Sequence, residues 1–378
     1  MGGSQINAIE LAASIRGLGH DVVIYAPDGE LSQKIADLGL SWVQSPSGTK
    51  LSIAWIRGLR RLARAYDPDI VHTYEWATSI GAAYAFRSIG RATQVMTVLS
   101  MDVPRFLPTH LHLTVGTRQL AETLGGRGRV AVIEPPIDTE SNRASDVDAA
   151  RRRIRASGGD FVISMVCRMT NELDKANGVI DAIKVAGDLA KDFQVRLMVA
   201  GDGGELARIT RHADAVNQRL GHDVVEVLGS VLDPGDIYEG SDVVLGMGSS
   251  VLRGMAYGKP VVVQGANGYW ELLTPSTLET FLRVGFYGNG GSGAAALQPF
   301  LVNLMENPEK RDRLGTWSRE VVVSRFGLTA AAGSLETVYR VAKAETYRKP
   351  IMVLSLCRSM VGLTKFRIST GIKQRSVA

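Results

Sequence analysis

Short apolar runs alternate with helix-periodic stretches along most of this chain, and only a few connections between them are long. That alternation is the strongest constraint on the fold, because strand and helix in turn demand a parallel sheet with helices on both faces. Ile6, Ile9, Ala13 and Ile15 recur near helical spacing, so residues 4–18 read as an amphipathic helix that Gly19 stops. Strands are expected at 21–26, 41–44, 69–72, 94–99, 111–116 and 130–134, with helices at 29–38, 51–66, 76–90 and 117–124 between them. Ligands of such sheets bind at the carboxyl ends of the strands, near the point where strand order reverses.

Residues 134–160 break the rhythm with Pro135-Pro136, a polar stretch and Gly158-Gly159, and read as a linker carrying one helix at 146–156. The alternation then resumes from Phe161 to Gln264 and closes in helices at 294–306, 308–325 and 329–346, with Tyr287–Gly293 expected as a flexible loop. At roughly 150 residues per domain, 378 residues make two or three domains. The expected division is a first Rossmann-like domain at 1–140, a second at 141–346, and a basic-apolar tail at 347–378.

Apolar residues make up 45% and charged residues 21%, an ordinary globular balance. Cys167 and Cys357 are the only cysteines and form no Cys-x-x-Cys pair, which argues against a disulfide framework and fits a reducing compartment. No secretory signal opens the sequence, and no apolar run reaches the ~20 residues that span a bilayer, so the expectation is a cytoplasmic protein. The net charge of +5 means either ordinary basic surface or attraction to anionic lipid and phosphorylated substrates. Nucleic acid is not expected as a partner, since no reading helix, zinc finger or RNA-binding strand pattern is present.

Three places offer themselves to a phosphate. Gly2-Gly3-Ser4 precedes the first helix, where close backbone approach and free N–H groups suit an anion, or it is a plain helix start. Arg168 ends an apolar strand and Lys175 follows seven residues on, two cations that either clamp a diphosphate or sit solvated in a loop. Gly248-Ser249-Ser250 opens a further helix, as an anion cradle or as an ordinary serine cap. The Gly201-Asp-Gly-Gly204 turn is a weaker signal, because its glycines have a turn to make in any case.

Taken in order, six pieces resemble family 4 of the retaining glycosyltransferases, from Gly2 to about residue 346. They are Gly2-Gly-Ser-Gln5 with the IELAASIRGLGHDVVIYAP that follows, Asp69-Ile-Val-His72, VAVIEPPID at 130–138, Arg168 with Lys175, LMVAGDGGEL at 197–206, and LRGMAYGKPVVV at 252–263. The resemblance implies the GT-B fold, an α/β architecture of two doubly wound domains facing one another across a cleft. It implies transfer of a sugar from a nucleotide-sugar donor to a glycan, lipid-linked or small-molecule hydroxyl, with retention and with no metal or other cofactor. Arg168 and Lys175 would then neutralise the departing diphosphate, with His72 as a third catalytic candidate. Gly2, Gly3, Gly201, Gly248, Ser249, Ser250, Arg253 and Glu271 would contact the donor.

The sequence departs from the family at three points. Its two glutamates eight positions apart are here Leu245 and Arg253, and Arg253 cannot accept a bond from a ribose hydroxyl. A histidine common near the reacting sugar is replaced by Leu99, with Ser100 and Asp102 as the nearby polar groups. The chain also opens at the glycine loop, without the buried strand that family members place before it; its absence points to a misassigned start or a truncated chain, and would leave two strand edges unpaired.

Other residues carry weaker expectations. Tyr74, Glu75 and Trp76 follow His72 and suit acceptor contact. His110 and His112 are too few for a metal site. Trp270 either packs or stacks on a sugar. Arg151-Arg-Arg153 reads as a solvated helix face. The tail from Lys349 mixes apolar and basic residues, and either lies on the inner face of a membrane or packs on the first domain. Two rivals share the fold: a catalytically degenerate binding or assembly subunit, favoured by Leu245, Arg253 and Leu99, and a nucleotide-sugar epimerase, which needs cleft carboxylates that the sequence does not place.

Overall fold

The structure is a computed structural model; it describes residues 3–86, 92–100, 102–345 and 349–375. The chain forms two units, residues 1–136 with 328–378, and residues 137–327.

The first unit runs α1 (Gly3–Gly17), β1 (Val23–Ala26), α2 (Ser32–Asp37), β2 (Ser41–Gln44), α3 (Ile53–Tyr66), β3 (Ile70–Tyr74), α4 (Trp76–Phe86), β4 (Thr93–Val98), β5 (His112–Val115), α5 (Arg118–Thr123) and β6 (Val130–Val132). All its strand pairs are parallel. β1 pairs with β2 in one sheet, and β3 to β6 follow in chain order in a second. β1 and β3 are thus both edge strands. Side chains set the helix ends: Ser52 accepts the Trp55 amide at the start of α3, and Thr117 accepts that of Leu120 at the start of α5.

The second unit runs α6 (Val147–Arg153), β7 (Phe161–Val166), α7 (Lys175–Leu189), β8 (Val195–Ala200), α8 (Leu206–Leu220), β9 (Val225–Gly229), α9 (Gly235–Glu239), β10 (Val243–Gly246), α10 (Ser249–Ala256), β11 (Val261–Gln264), β12 (Trp270–Leu272), α11 (Leu278–Val284), α12 (Ala294–Glu306) and α13 (Pro308–Phe326). Its six strands stand in the order β12-β11-β10-β7-β8-β9. β7, β8, β10 and β11 are almost wholly buried, as a sheet covered on both faces requires. From β7 the chain builds outward on one side through β8 and β9, then returns to build the other side through β10 and β11. The strand order therefore reverses between β7 and β10, and the carboxyl ends of these two strands flank the place where a doubly wound sheet takes its ligand.

Two helices follow and rejoin the first unit, α14 (Leu328–Ala344) and α15 (Lys349–Arg375). The expected limits at 140 and 346 thus fall at 136 and 327. The cause is packing: Ala331, Ala332 and Leu335 of α14 share a core with Leu11 and Ile15 of α1 and with Ile133.

Two elements were not anticipated, and two expectations need correction. Trp270–Leu272 is an antiparallel edge strand on β11, too short to show a period, and Leu278–Val284 is a helix. The glycine run 287–293 is held rather than flexible: Gly290 N, Gly291 N and Gly293 N donate to the carbonyls of Ala266, Asn267 and Gly268, each at 2.9 Å. A Cβ on Gly265 would come within 2.0 Å of Gly288 O, so the two segments meet backbone to backbone. Arg151 is not a solvated cation; it pairs with Asp242 at 3.1 Å and also donates to the carbonyls of Gly240, Ser157 and Asp160. The helix expected at 76–90 is present from Trp76 to Phe86, and its last four residues lie outside the described residues.

Candidate active site

In the second unit, Arg168 leaves the end of β7 and Lys175 begins α7. Glu172 lies between them and holds both: its Oε2 is 3.2 Å from Arg168 Nη2 and 3.9 Å from Lys175 Nζ. Arg168 and Glu172 are exposed, whereas Lys175 is 14% exposed. Burial lowers the Lys175 ammonium below its ordinary pKa, the Glu172 carboxylate raises it, and Arg168 lowers it further. An anion arriving here would meet two cations at the end of a central strand, one of them poorly hydrated. Cys167 is beside them, but burial pushes its thiol up to about 11, so it is not a nucleophile at neutral pH.

The loop between these cations is tightly held. Leu173 and Asp174 both have positive φ, at 55° and 61°. Asp174 Oδ2 accepts the amide of Asn267, itself at φ 54°, and the Asp174 carbonyl accepts from Gln264 Nε2. Three adjacent left-handed non-glycine residues persist only where the surroundings over-determine them. From the other side the Gly201–Gly204 turn closes on the same loop. A Cβ on Gly201 (φ +139) would lie 1.8 Å from Cys167 O, and one on Gly203 (φ +153) would lie 2.3 Å from Met169 O. Gly201 thus supports the Arg168 loop; glycine is required there by the neighbouring backbone.

Beyond β10, Gly248 (φ +57) precedes α10, and Ser249 at its start is exposed. Ser250 is turned inward: its Oγ donates to the Met247 carbonyl at 3.0 Å and accepts the Met247 amide at 3.2 Å, so it makes the turn. Arg168 after β7 and Gly248-Ser249 after β10 thus stand on the two strands that flank the reversal of strand order. Arg253 projects from α10 near Tyr238 and Tyr257, whose rings stack 5.7 Å apart. Arg253 Nε and the Tyr238 hydroxyl are buried and have no hydrogen-bond partner among the described residues. Leu245 is wholly buried in β10 between β7 and β11, so the position of the family's first glutamate is core here. Glu271 is partly exposed on β12 beside Tyr269, with the neighbouring Trp270 buried in the core.

In the first unit Gly3 is the exposed first residue of α1; Gly2 lies outside the described residues. Glu75, just past β3, has φ +67. Its carboxylate accepts from Ser4 Oγ at 2.8 Å, from the Leu99 amide at 3.2 Å and from Ser100 Oγ at 2.6 Å. It ties the start of α1 to the ends of β3 and β4, on the side where the resemblance places the acceptor.

His72 does not join a reactive group. Its Nδ1 is 2.8 Å from the Tyr339 hydroxyl and its Nε2 is 2.6 Å from Thr97 Oγ1, and burial lowers its pKa to about 3. Both nitrogens are occupied in joining α14 to the sheet, which corrects its expected catalytic role to a structural one. His110 Nδ1 meets Ser355 Oγ at 2.9 Å, and His112 Nε2 lies 3.4 Å from Glu345. Among the described residues no group of three or more His, Cys, Asp or Glu side chains is placed to hold a metal ion.

Sequence reasoning missed Glu172 as the shared partner of the two cations, although its i+4 and i−3 spacing from them was visible. It also missed the aromatic pair beside Arg253, which only the fold brings together.

Comparison with known proteins bears on the family and the fold. The family described as Glycosyltransferase Family 4 matches residues 1–141, and that described as Glycosyl transferases group 1 matches residues 160–285. Among solved structures, a glycosyltransferase from Rickettsia africae ESF-5 superposes with a TM-score of 0.71 at 17% identity, covering 91% of this chain and 96% of that one. Anabaena HepE in complex with UDP and glucose gives 0.68 at 16% identity, covering 90% and 96%. A putative UDP-N-acetylglucosamine 2-epimerase from Listeria monocytogenes gives 0.61 at 15% identity, covering 92% and 95%. No curated protein matches the chain.

The fold is GT-B, shared by transferases and by that epimerase alike. The family matches decide between them: the chain belongs with the family 4 glycosyltransferases and is a nucleotide-sugar-dependent glycosyltransferase.

Proposed function

We propose that the second unit binds the donor with its diphosphate between the ends of β7 and β10, and that the sugar is transferred with retention. The observation that carries this reading is the pairing of Arg168 and Lys175 on the single carboxylate of Glu172, beside the reversal of strand order. A diphosphate would displace Glu172 and take both cations, and the first amides of α10 would face it from the other side. The glycosidic C–O bond to the diphosphate breaks, and its electron pair leaves with the phosphate oxygen. The acceptor oxygen closes on the same face of the sugar, and its proton ends on the released diphosphate. Fixed cations where negative charge develops stabilise that transition state without a metal.

Arg253, in place of a ribose-binding glutamate, contributes a donor to a phosphate or sugar oxygen, and Glu271 an acceptor to a sugar hydroxyl. The acceptor is a glycan, a lipid-linked glycan or a small-molecule alcohol, bound on the first unit near Glu75; a lipid-linked acceptor brings peripheral contact with a membrane. UDP-sugars are the first donors to test, since the HepE structure holds UDP and glucose.

The test is thermal shift with UDP, GDP, ADP and their glucose conjugates, for wild type and Arg168→Ala. A ligand bound only by the native state raises Tm by mass action. One nucleotide should raise Tm in wild type and fail to do so in the variant. Equal shifts in both proteins would remove Arg168 from the donor site. Retention is checked by the anomeric NMR signal of the product once a donor is found.

A further inference from the structure

α15 is a 27-residue helix with six Lys or Arg residues and no Asp or Glu. One face is firmly bedded on the first unit. Leu356 and Leu363 lie in its core with Ile80, Met96 and Leu113. Ser355 Oγ accepts the Thr109 amide at 2.8 Å, and Phe366 stacks edge-on to Trp76 with centroids 6.0 Å apart. The opposite face is open and carries both apolar and basic side chains. Ile351, Leu354, Val361 and Ile368 fall in one column at three- and seven-residue steps, and each is between 52% and 58% exposed. Arg358 and Lys365 are exposed in the same column.

A helix fixed by one side with four open apolar side chains on the other has an unmet partner. Among the described residues no helix is long and apolar enough to cross a membrane, so a span is not the answer. A second copy meeting this face about a twofold axis would set Arg358 and Lys365 against their own kind with no carboxylate on either helix, which is repulsive. An anionic surface that also accepts apolar side chains satisfies both features. α4 touches α15 through Trp76, and it touches α3 through the Trp55–Ala82 cluster; α3 exposes Arg57, Arg61 and Arg64 and also has no acid.

We infer that the outward face of α15 is a docking surface for anionic phospholipid. The helix lies in the interface with its apolar column among the acyl chains and its cations among the headgroups. This deepens the membrane contact proposed above, but it stands independently of donor binding.

The test is flotation of the full chain with phosphatidylcholine vesicles, with and without phosphatidylglycerol. Wild type should float with the anionic vesicles, less as salt rises, and should stay behind with phosphatidylcholine alone. Leu354→Glu with Val361→Glu, and separately Arg358→Glu with Lys365→Glu, should each lower vesicle binding by about tenfold or more. Unchanged Tm would show that the variants remain folded, and an unchanged nucleotide response would show that the donor site is separate from the lipid surface. Failure of wild type to float, or variants that float like wild type, overturns the inference. So does a wild-type dimer by light scattering that the Leu354→Glu pair dissociates, since that would assign the face to a second copy.

Discussion

Ser100 Oγ donates a 2.6 Å hydrogen bond to the carboxylate of Glu75, a residue whose backbone is left-handed. Ser4 and the Leu99 amide donate to the same carboxylate, so three chain segments converge on a side chain held at a conformational cost. That cost, about 1 kcal/mol or more for a residue with a Cβ, persists because the hydrogen bonds outweigh it.

The balance can be measured. Glu75→Ala loses the hydrogen bonds and keeps the strain, and should destabilise by about 2 kcal/mol. Glu75→Gly loses the same bonds but relieves the strain, and should unfold about 1 kcal/mol later than the alanine variant. Urea denaturation of both reads the difference. An alanine variant as stable as the glycine one would mean that the left-handed backbone carries no strain.

Glu172 occupies the two cations that a diphosphate would need. The pair is exposed, so its attraction is worth at most about 1 kcal/mol. Glu172→Gln should therefore tighten UDP binding only modestly, by about two- to fivefold, in calorimetry at low salt. Arg168→Ala should weaken it by about tenfold or more. Weaker binding in Glu172→Gln would show that the carboxylate orients the cations and does not compete with the ligand.

Much of this was legible in the sequence, and the reasons are physical. Buried parallel strands read as continuous apolar runs, so β7, β8, β10 and β11 all fall inside the alternating stretch expected from Phe161 to Gln264. Arg168 and the Gly248-Ser249 turn could be placed at strand ends because each follows directly on an apolar run. β12 was invisible at three residues, and the held glycine segment at 287–293 read as a loop because its backbone partners lie some twenty residues away. His72 misled for a similar reason. A histidine at a strand end suits catalysis, and only the return of α14 to the first unit brings Tyr339 to its ring.

The Gly201 turn separates two kinds of glycine. Gly201→Ala and Gly203→Ala push a Cβ into the carbonyl oxygens of Cys167 and Met169, and backbone there has nowhere to give. Each should cost roughly 3 kcal/mol or more and disturb nucleotide binding through the Arg168 loop. Gly204 has open space around it, and Gly204→Ala should stay within about 0.5 kcal/mol of wild type. Thermal unfolding of the three variants checks the order; a severe loss in Gly204→Ala would show that the turn itself, and not its contact with the loop, demands glycine.

His72 fixes a pH dependence. Burial lowers its pKa from 6.5 to about 3 in the folded chain. Between those values the unfolded chain binds a proton that the folded chain refuses. Its contribution to stability is thus complete above pH 6.5 and declines as the pH falls toward 3, by up to about 1.4 kcal/mol per pH unit. His72→Asn removes the titration together with the bonds to Tyr339 and Thr97. The variant should be less stable than wild type at pH 7, and the gap should close between pH 6.5 and 5, before most carboxylates titrate. Urea unfolding of both proteins across that interval measures it. A gap that stays constant would mean that the ring takes its proton without leaving its place between α14 and β4.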